Sequence, residues 1–108
     1  MKFHITLSEA KDRLEKSKSP FAEMIRHGSM QVEYYAPIAV DKQQPHTLDE
    51  LYVIASGSGQ FIRNGEVVSF NAGDVLFVPA GMEHRFENFS EDFATWVVFY
   101  GEAGGEKI

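Results

Sequence analysis

The chain contains no cysteine. That excludes a disulfide framework and a metal site built on thiolates. Long apolar runs are missing too. None approaches the roughly 20 residues a membrane-spanning helix needs, and the opening MKFHITLSEAKD turns polar too soon to hold the apolar stretch of a signal peptide. Basic charge is scarce: ten Lys and Arg stand against sixteen Asp and Glu, a net charge of −6. Such a field repels a polyanion, and no local Lys/Arg cluster offsets it, so nucleic acid is not expected as a partner; without a spanning run, neither is a membrane. No internal repeat or linker divides the chain. The expectation is a soluble, cytoplasmic protein.

What is present is large apolar side chains. Apolar residues make up 44% of 108 residues, with nine Phe, four Tyr and one Trp. That is enough for one hydrophobic core, not two. It is too apolar a composition for disorder.

Leu7, Ala10 and Leu14 recur at helical spacing, Thr6 and Glu9 fit a capping box, and Pro20 marks a stop. A second helical turn is expected around FAEMIRHG, ending at Gly28. Beyond Gly28 the period becomes two. In MQVEYY, Met30, Val32 and Tyr34 share one face and Gln31, Glu33 and Tyr35 the other. ELYVIAS is apolar at nearly every position. Asn64-Gly65 between apolar flanks is a hairpin signal, and VLFVP, HRFENF and FATWVVFY complete a set of short strands. Such a set predicts a sandwich or barrel. Its units are an N-terminal helical segment over 1–28 packed on the barrel, the barrel over 29–101 and a mobile glycine-rich tail over 102–108.

Two stretches carry chemistry. In QPHTLDE, Gln44 and His46 lie on one face of an extended chain, roughly 6–7 Å apart, and both can meet one ion. His46 and Glu50 would stand about 13 Å apart on a straight strand, so a shared site demands a bend across Thr47-Leu48-Asp49. Past the bend, alternation cannot choose between Asp49 and Glu50. Glu50 is favoured because it heads the apolar strand, and Asp49 reads as a turn residue. In GDVLFVPAGMEHRFEN, Pro79 and Gly81 turn the chain and deliver His84 at the start of a strand whose inward set is His84, Phe86 and Asn88. Two histidines and a carboxylate with open positions suit Fe(II), Mn(II), Ni(II), Co(II) or Zn(II). Taken singly, each of these residues would more often be structural; their joint spacing favours one site. His4 and His27 are expected in solvent. Trp96, Tyr34, Tyr52, Phe86 and Phe99 are expected mainly in the core, with one or two lining a pocket. Arg85 should turn away from the site.

Both stretches resemble the two motifs of the cupin superfamily. Gln44-Pro45-His46, Glu50 and Gly57 fall on the first, with Gln44 where a histidine usually stands. Gly73, Pro79, Gly81, His84 and Asn88 match every position of the second, and the resemblance spans about Met30 to Tyr100. It implies an all-β, double-stranded β-helix (jelly-roll) barrel holding one divalent transition metal on His46, Glu50 and His84. Gln44 would ligate through its oxygen, orient a water or mark a weaker site, and ligation is favoured. Glu50 would act as ligand or, if detached, as a catalytic base. The implied function is metal-dependent action on a small organic molecule, with dioxygenase chemistry ranked before isomerase, lyase or decarboxylase chemistry. A non-catalytic sensing module and a metal-free assembly barrel are the rivals. Exposed strand edges and abundant aromatic and β-branched residues predict a homodimer.

Overall fold

The computed structural model describes residues 2–107. Residues 1 and 108, the first of the expected helical segment and the last of the expected tail, lie outside the described residues. Helix α1 (Leu7–Ser17) begins at Thr6, whose hydroxyl accepts the Glu9 N–H at 3.1 Å, and ends at Lys18 with φ 55°. Its contact face is narrower than the apolar spacing suggested. Ala10 is fully buried and Leu14 partly, but Leu7 is exposed.

The segment expected as a second helical turn is a strand. β1 (Phe21–His27) pairs antiparallel with β2 (Met30–Tyr35). Gly28, at φ 58°, is a hairpin residue and not a helix end. Ala-Glu-Met favours helix weakly, and pairing with β2 across a bulge between Glu23 and Ile25 outweighs that preference.

The remaining strands are β3 (Asp49–Ser56), β4 (Ser58–Arg63), β5 (Glu66–Asn71), β6 (Val75–Val78), β7 (His84–Glu87) and β8 (Ala94–Tyr100). They form a five-stranded sheet ordered β1-β2-β8-β3-β6 and a three-stranded sheet ordered β5-β4-β7. Asn64 and Gly65, at φ 48° and 85°, make the tight β4–β5 turn, with Arg63 opposite Glu66. Gly57 carries the chain from one sheet to the other. At φ 84° it lies so close to Phe93 that an added Cβ would sit 2.7 Å from the Phe93 Cα. Only glycine fits there.

The space between the sheets is filled mainly by aromatic rings. Tyr52, Phe61, Phe70, Phe86 and Phe93 are all buried, and Phe86 meets Tyr52 at 4.9 Å and Phe93 at 4.7 Å between centroids. A second cluster lies outside the five-stranded sheet, where Ala10 and Leu14 of α1 cover Met24, Tyr34 and Trp96. Tyr34 and Tyr35 thus point to opposite sides of β2, as alternation requires. Among the described residues no helix is long and apolar enough to cross a membrane.

The glycine-rich tail expected to be mobile is tied back in part. The Gly104 N–H donates to the Thr47 carbonyl at 2.8 Å, and the Glu106 N–H to Asp49 Oδ2 at 2.7 Å. Asn88, expected to face inward, is exposed at φ 50° beyond the end of β7 and donates to Gln60 Oε1.

Candidate metal centre

Three segments bring the site together. Glu50 is the second residue of β3, held between Val78 of β6 and Phe99 of β8, and is 1% exposed. His84 opens β7 opposite Arg63 of β4, and is also buried. His46 comes from the irregular loop 36–48, with 34% of its side chain exposed.

The bend expected between His46 and Glu50 is built from distant backbone. The Gly81 N–H donates to the His46 carbonyl at 2.7 Å, so the Pro79–Gly81 turn that positions His84 also fixes His46. Asp49, expected in a turn, is buried at the start of β3. Its Oδ1 accepts the Ala80 N–H at 2.8 Å while Oδ2 accepts Glu106.

His46, Glu50 and His84 each offer one ligand atom within 4.8 Å of the others. Opposed ligands about 2.1 Å from one ion lie about 4.2 Å apart, so a small contraction accommodates the set. His84 Nε2 stands 2.8 Å from Glu50 Oε1, and His46 Nε2 stands 4.0 Å from Oε2. Yet both Glu50 oxygens and His84 Nε2 lack an aligned hydrogen-bond partner.

The histidine's other nitrogen explains the conflict. His84 Nδ1 lies 2.9 Å from the Met82 carbonyl, which can only accept, so Nδ1 carries a proton. A neutral His84 then presents a bare Nε2 lone pair to a carboxylate. Two acceptors in contact inside a core require a proton or a cation between them. Burial pulls the His84 pKa down, but the Glu50 carboxylate, the Met82 carbonyl and Asp41 outweigh it and the net shift is upward. The same negative potential attracts a metal ion. The donor set therefore fits one divalent transition metal, with the Met82 carbonyl orienting one ligand.

Gln44, the fourth residue expected at the site, is exposed. The amide beside the site is its neighbour Gln43, whose Oε1 lies 3.4 Å from His46 Nε2 and accepts the Tyr52 hydroxyl at 3.1 Å. Strand alternation pairs residues 44 and 46 only on a regular strand. Loop 36–48 is irregular here, and Pro45 cannot donate to a ladder. Asp41-x-Gln43 was the unread signal: a carboxylate two residues before an amide can fix that amide's orientation. His4, His27 and Arg85 are exposed.

An open groove of about 1320 Å³, which also runs along α1 and the 91–94 segment, reaches His46 and Gln43 and is lined also by Gln31, Glu33, Tyr35 and Phe99. Phe99 packs edge-on against His46 at 4.9 Å. Burial pushes the Glu33 carboxyl pKa up, partly offset by the Gln31 amide, which donates to Oε2 at 2.7 Å.

A sequence model of the cupin domain matches residues 31–100, nearly the span over which the motifs were read. An uncharacterised protein of Streptomyces coelicolor is 35% identical over 94 residues, covering 82% of this chain and 90% of its own length. A solved structure of unknown function from Rhizobium leguminosarum superimposes with a TM-score of 0.66 at 23% identity, over 94% of this chain and 100% of that one. The structure of the DMSP lyase DddQ from Ruegeria pomeroyi does so at 0.65 and 22% identity, over 76% of this chain and 46% of that one. At these identities the two structures share the fold alone. With both motif regions inside the matched span and a His-Glu-His cluster where they meet, the chain belongs to the cupin domain family.

Proposed function

We propose that this cupin holds one divalent transition metal on His46, Glu50 and His84 and acts on a small organic molecule, with dioxygenase chemistry as the leading reading. The supporting observation is the buried, partnerless contact between Glu50 and His84 Nε2. Two histidines and one carboxylate with open positions are the donor set of non-haem Fe(II) oxygenases. A bound metal supplies Lewis-acid polarisation of a carbonyl or enolate and, when it is iron, one-electron chemistry with dioxygen. The protein's own part is to bury Glu50 and His84, and to leave His46 beside the cavity where a substrate can approach. Phe99 and Tyr35 make part of that wall apolar.

Protein purified without a histidine tag is expected to contain near-stoichiometric transition metal, lost in His46→Ala and His84→Ala. Metal-free protein from metal-replete cells would contradict the proposal and favour an assembly barrel. Oxygen uptake with a panel of phenols, diketones and thiols tests the chemistry. No uptake by the iron-loaded protein with any of them would remove the dioxygenase reading and favour a sensing module.

Glu33 favours a second reading, isomerase or lyase chemistry. It is a carboxylate in the cavity wall, separate from the metal cluster, with its proton affinity raised by burial. A base of that kind suits proton abstraction beside a polarised carbonyl. Glu33→Gln should then abolish turnover while leaving metal content unchanged.

The homodimer and the cytoplasmic location belong to the same proposal. Val75 and Phe77 of the edge strand β6 are 60% and 42% exposed. Cross-strand pairing sets them beside Val53 and Leu51, and Leu51 beside Val98, which in turn pairs with Val32. This half of the outer sheet face lies outside the α1 cluster, and its exposed edge can pair with the same edge of a second copy. Sedimentation equilibrium should show a dimer at micromolar concentration that Phe77→Glu dissociates; a monomeric wild type would refute the pairing.

A further inference from the structure

We propose that Gln43, and not Gln44, supplies a fourth protein donor to the metal through its side-chain oxygen, and that Asp41 is the positioning residue that aims it. The inference rests on the metal reading above.

The observation behind it is an amide whose orientation is settled by its neighbours. Asp41 is buried, and its carboxylate accepts from the Tyr35 hydroxyl, the Gln43 N–H at 3.1 Å, Gln43 Nε2 at 3.0 Å and the Phe86 N–H at 2.8 Å. A carboxylate accepts and does not donate, so the half of the Gln43 amide facing it is the NH2 group. Oε1 must face the other way. There it meets the Tyr52 hydroxyl at 3.1 Å and His46 Nε2 at 3.4 Å. The Tyr52 hydroxyl donates to Oε1 and so uses one of its lone pairs. The second lone pair is left for another partner.

The distance fits a ligand pair. Two donors about 2.1 Å from one ion, at angles between 90° and the tetrahedral value, lie roughly 3.0–3.4 Å apart. With metal on His46 Nε2 that nitrogen carries no proton. It and Gln43 Oε1 would then be two acceptors in contact, the same arrangement found at His84 and Glu50. One cation relieves both. The alternative, a His46 Nε2–H donating to Gln43, holds only while His46 is not a ligand.

Asp41 does more than orient the amide. Its bond to the Phe86 N–H joins loop 36–48, which carries Gln43 and His46, to β7, which carries His84. Its bond from Tyr35 adds β2. An amide oxygen adds a neutral, hard donor, so a site with one carboxylate keeps net positive charge and leans toward Fe(II), Mn(II) or Co(II) over softer ions.

The test is an anaerobic titration of the metal-free full chain with Co(II), read by calorimetry and by the visible ligand-field spectrum, for wild type, Gln43→Ala, Gln43→Leu and Gln44→Ala. Gln43→Leu preserves bulk and serves if the alanine variant folds poorly. Both Gln43 variants are expected to weaken binding by on the order of tenfold to a hundredfold and to change the spectrum, whereas Gln44→Ala should match wild type in both. Asp41→Asn should weaken binding in the same direction as the Gln43 variants. Gln43 variants with wild-type affinity and spectrum would overturn the assignment while leaving the His-Glu-His site standing. Loss confined to Gln44→Ala would return the role to residue 44. A wild type that takes no Co(II) would overturn this inference together with the metal reading beneath it.

Discussion

At the scale of single residues, the central tension is that Glu50 and His84 are buried in contact while neither Glu50 oxygen nor His84 Nε2 makes an aligned hydrogen bond. A buried charge without compensation destabilises a fold. Replacing Glu50 by Gln should therefore act in opposite directions on two properties. The amide NH2 can donate to His84 Nε2, so the metal-free variant is expected to be more stable than metal-free wild type, by about 1–3 kcal/mol. Stabilisation by added metal should nearly vanish. Thermal unfolding of both proteins with chelator and with Co(II) shows this. A variant less stable than wild type in chelator would mean that the carboxylate is already well satisfied without a metal. Phe86 offers the contrasting case. It touches Tyr52, Phe61, Phe70 and Phe93 and is 1% exposed, so Phe86→Ala should cost about 3–5 kcal/mol whether or not metal is present.

At the scale of elements, the site depends on joints that the strands themselves do not supply. Gly57 passes from β3 to β4 against the Phe93 backbone, and Gly57→Ala combines a positive φ with a contact that cannot be relieved by a side-chain rotation. It should lower stability by several kcal/mol, about the tail of single-substitution effects, whereas Gly65→Ala, with open space around it, should suffer only the backbone strain. Chemical denaturation of the two variants compares them directly.

Asp49 is a second joint. The Glu106 N–H first, and the Ala80 N–H second, hold its carboxyl below its usual range. Because the folded value is depressed, the tie to the tail is fully present above about pH 4 and is lost as pH falls through the folded value. Hydrogen exchange should show the Glu106 amide losing protection over that interval in wild type. In Asp49→Asn the pH dependence should disappear. Equal pH profiles in the two proteins would contradict the assignment.

These joints also explain which features could be read along the chain. The hairpin at Asn64-Gly65 was legible because its signal lies in the two residues that turn. His46, Glu50 and His84 were legible because motif spacing encodes them. β1 was not, because Ala22, Glu23 and Met24 become a strand through pairing with β2 and cover from α1. Nor was the contact between Gln43 and His46. The path of loop 36–48 is set by Asp41 bonding to Phe86, 45 residues away, and nothing local records that contact. The tail's tie to Asp49, across 57 residues, was hidden for the same reason.

At the scale of the whole molecule, the two sheets enclose an aromatic core at one depth and the His-Glu-His cluster at another, with His46 the member of the cluster that lines the cavity. Binding energy at such a site adds to folding energy. Metal at a hundred times its dissociation constant should stabilise the chain by about 2.7 kcal/mol, a rise in melting temperature on the order of 5–10 °C for a domain of this size. Anomalous diffraction from crystals of the metal-loaded protein, collected at the absorption edge of the bound ion, locates the metal directly. One peak is expected within coordination distance of His46, Glu50 and His84. Strong, ordered density for all three side chains with no peak among them, in protein shown by analysis to carry its metal, would contradict it.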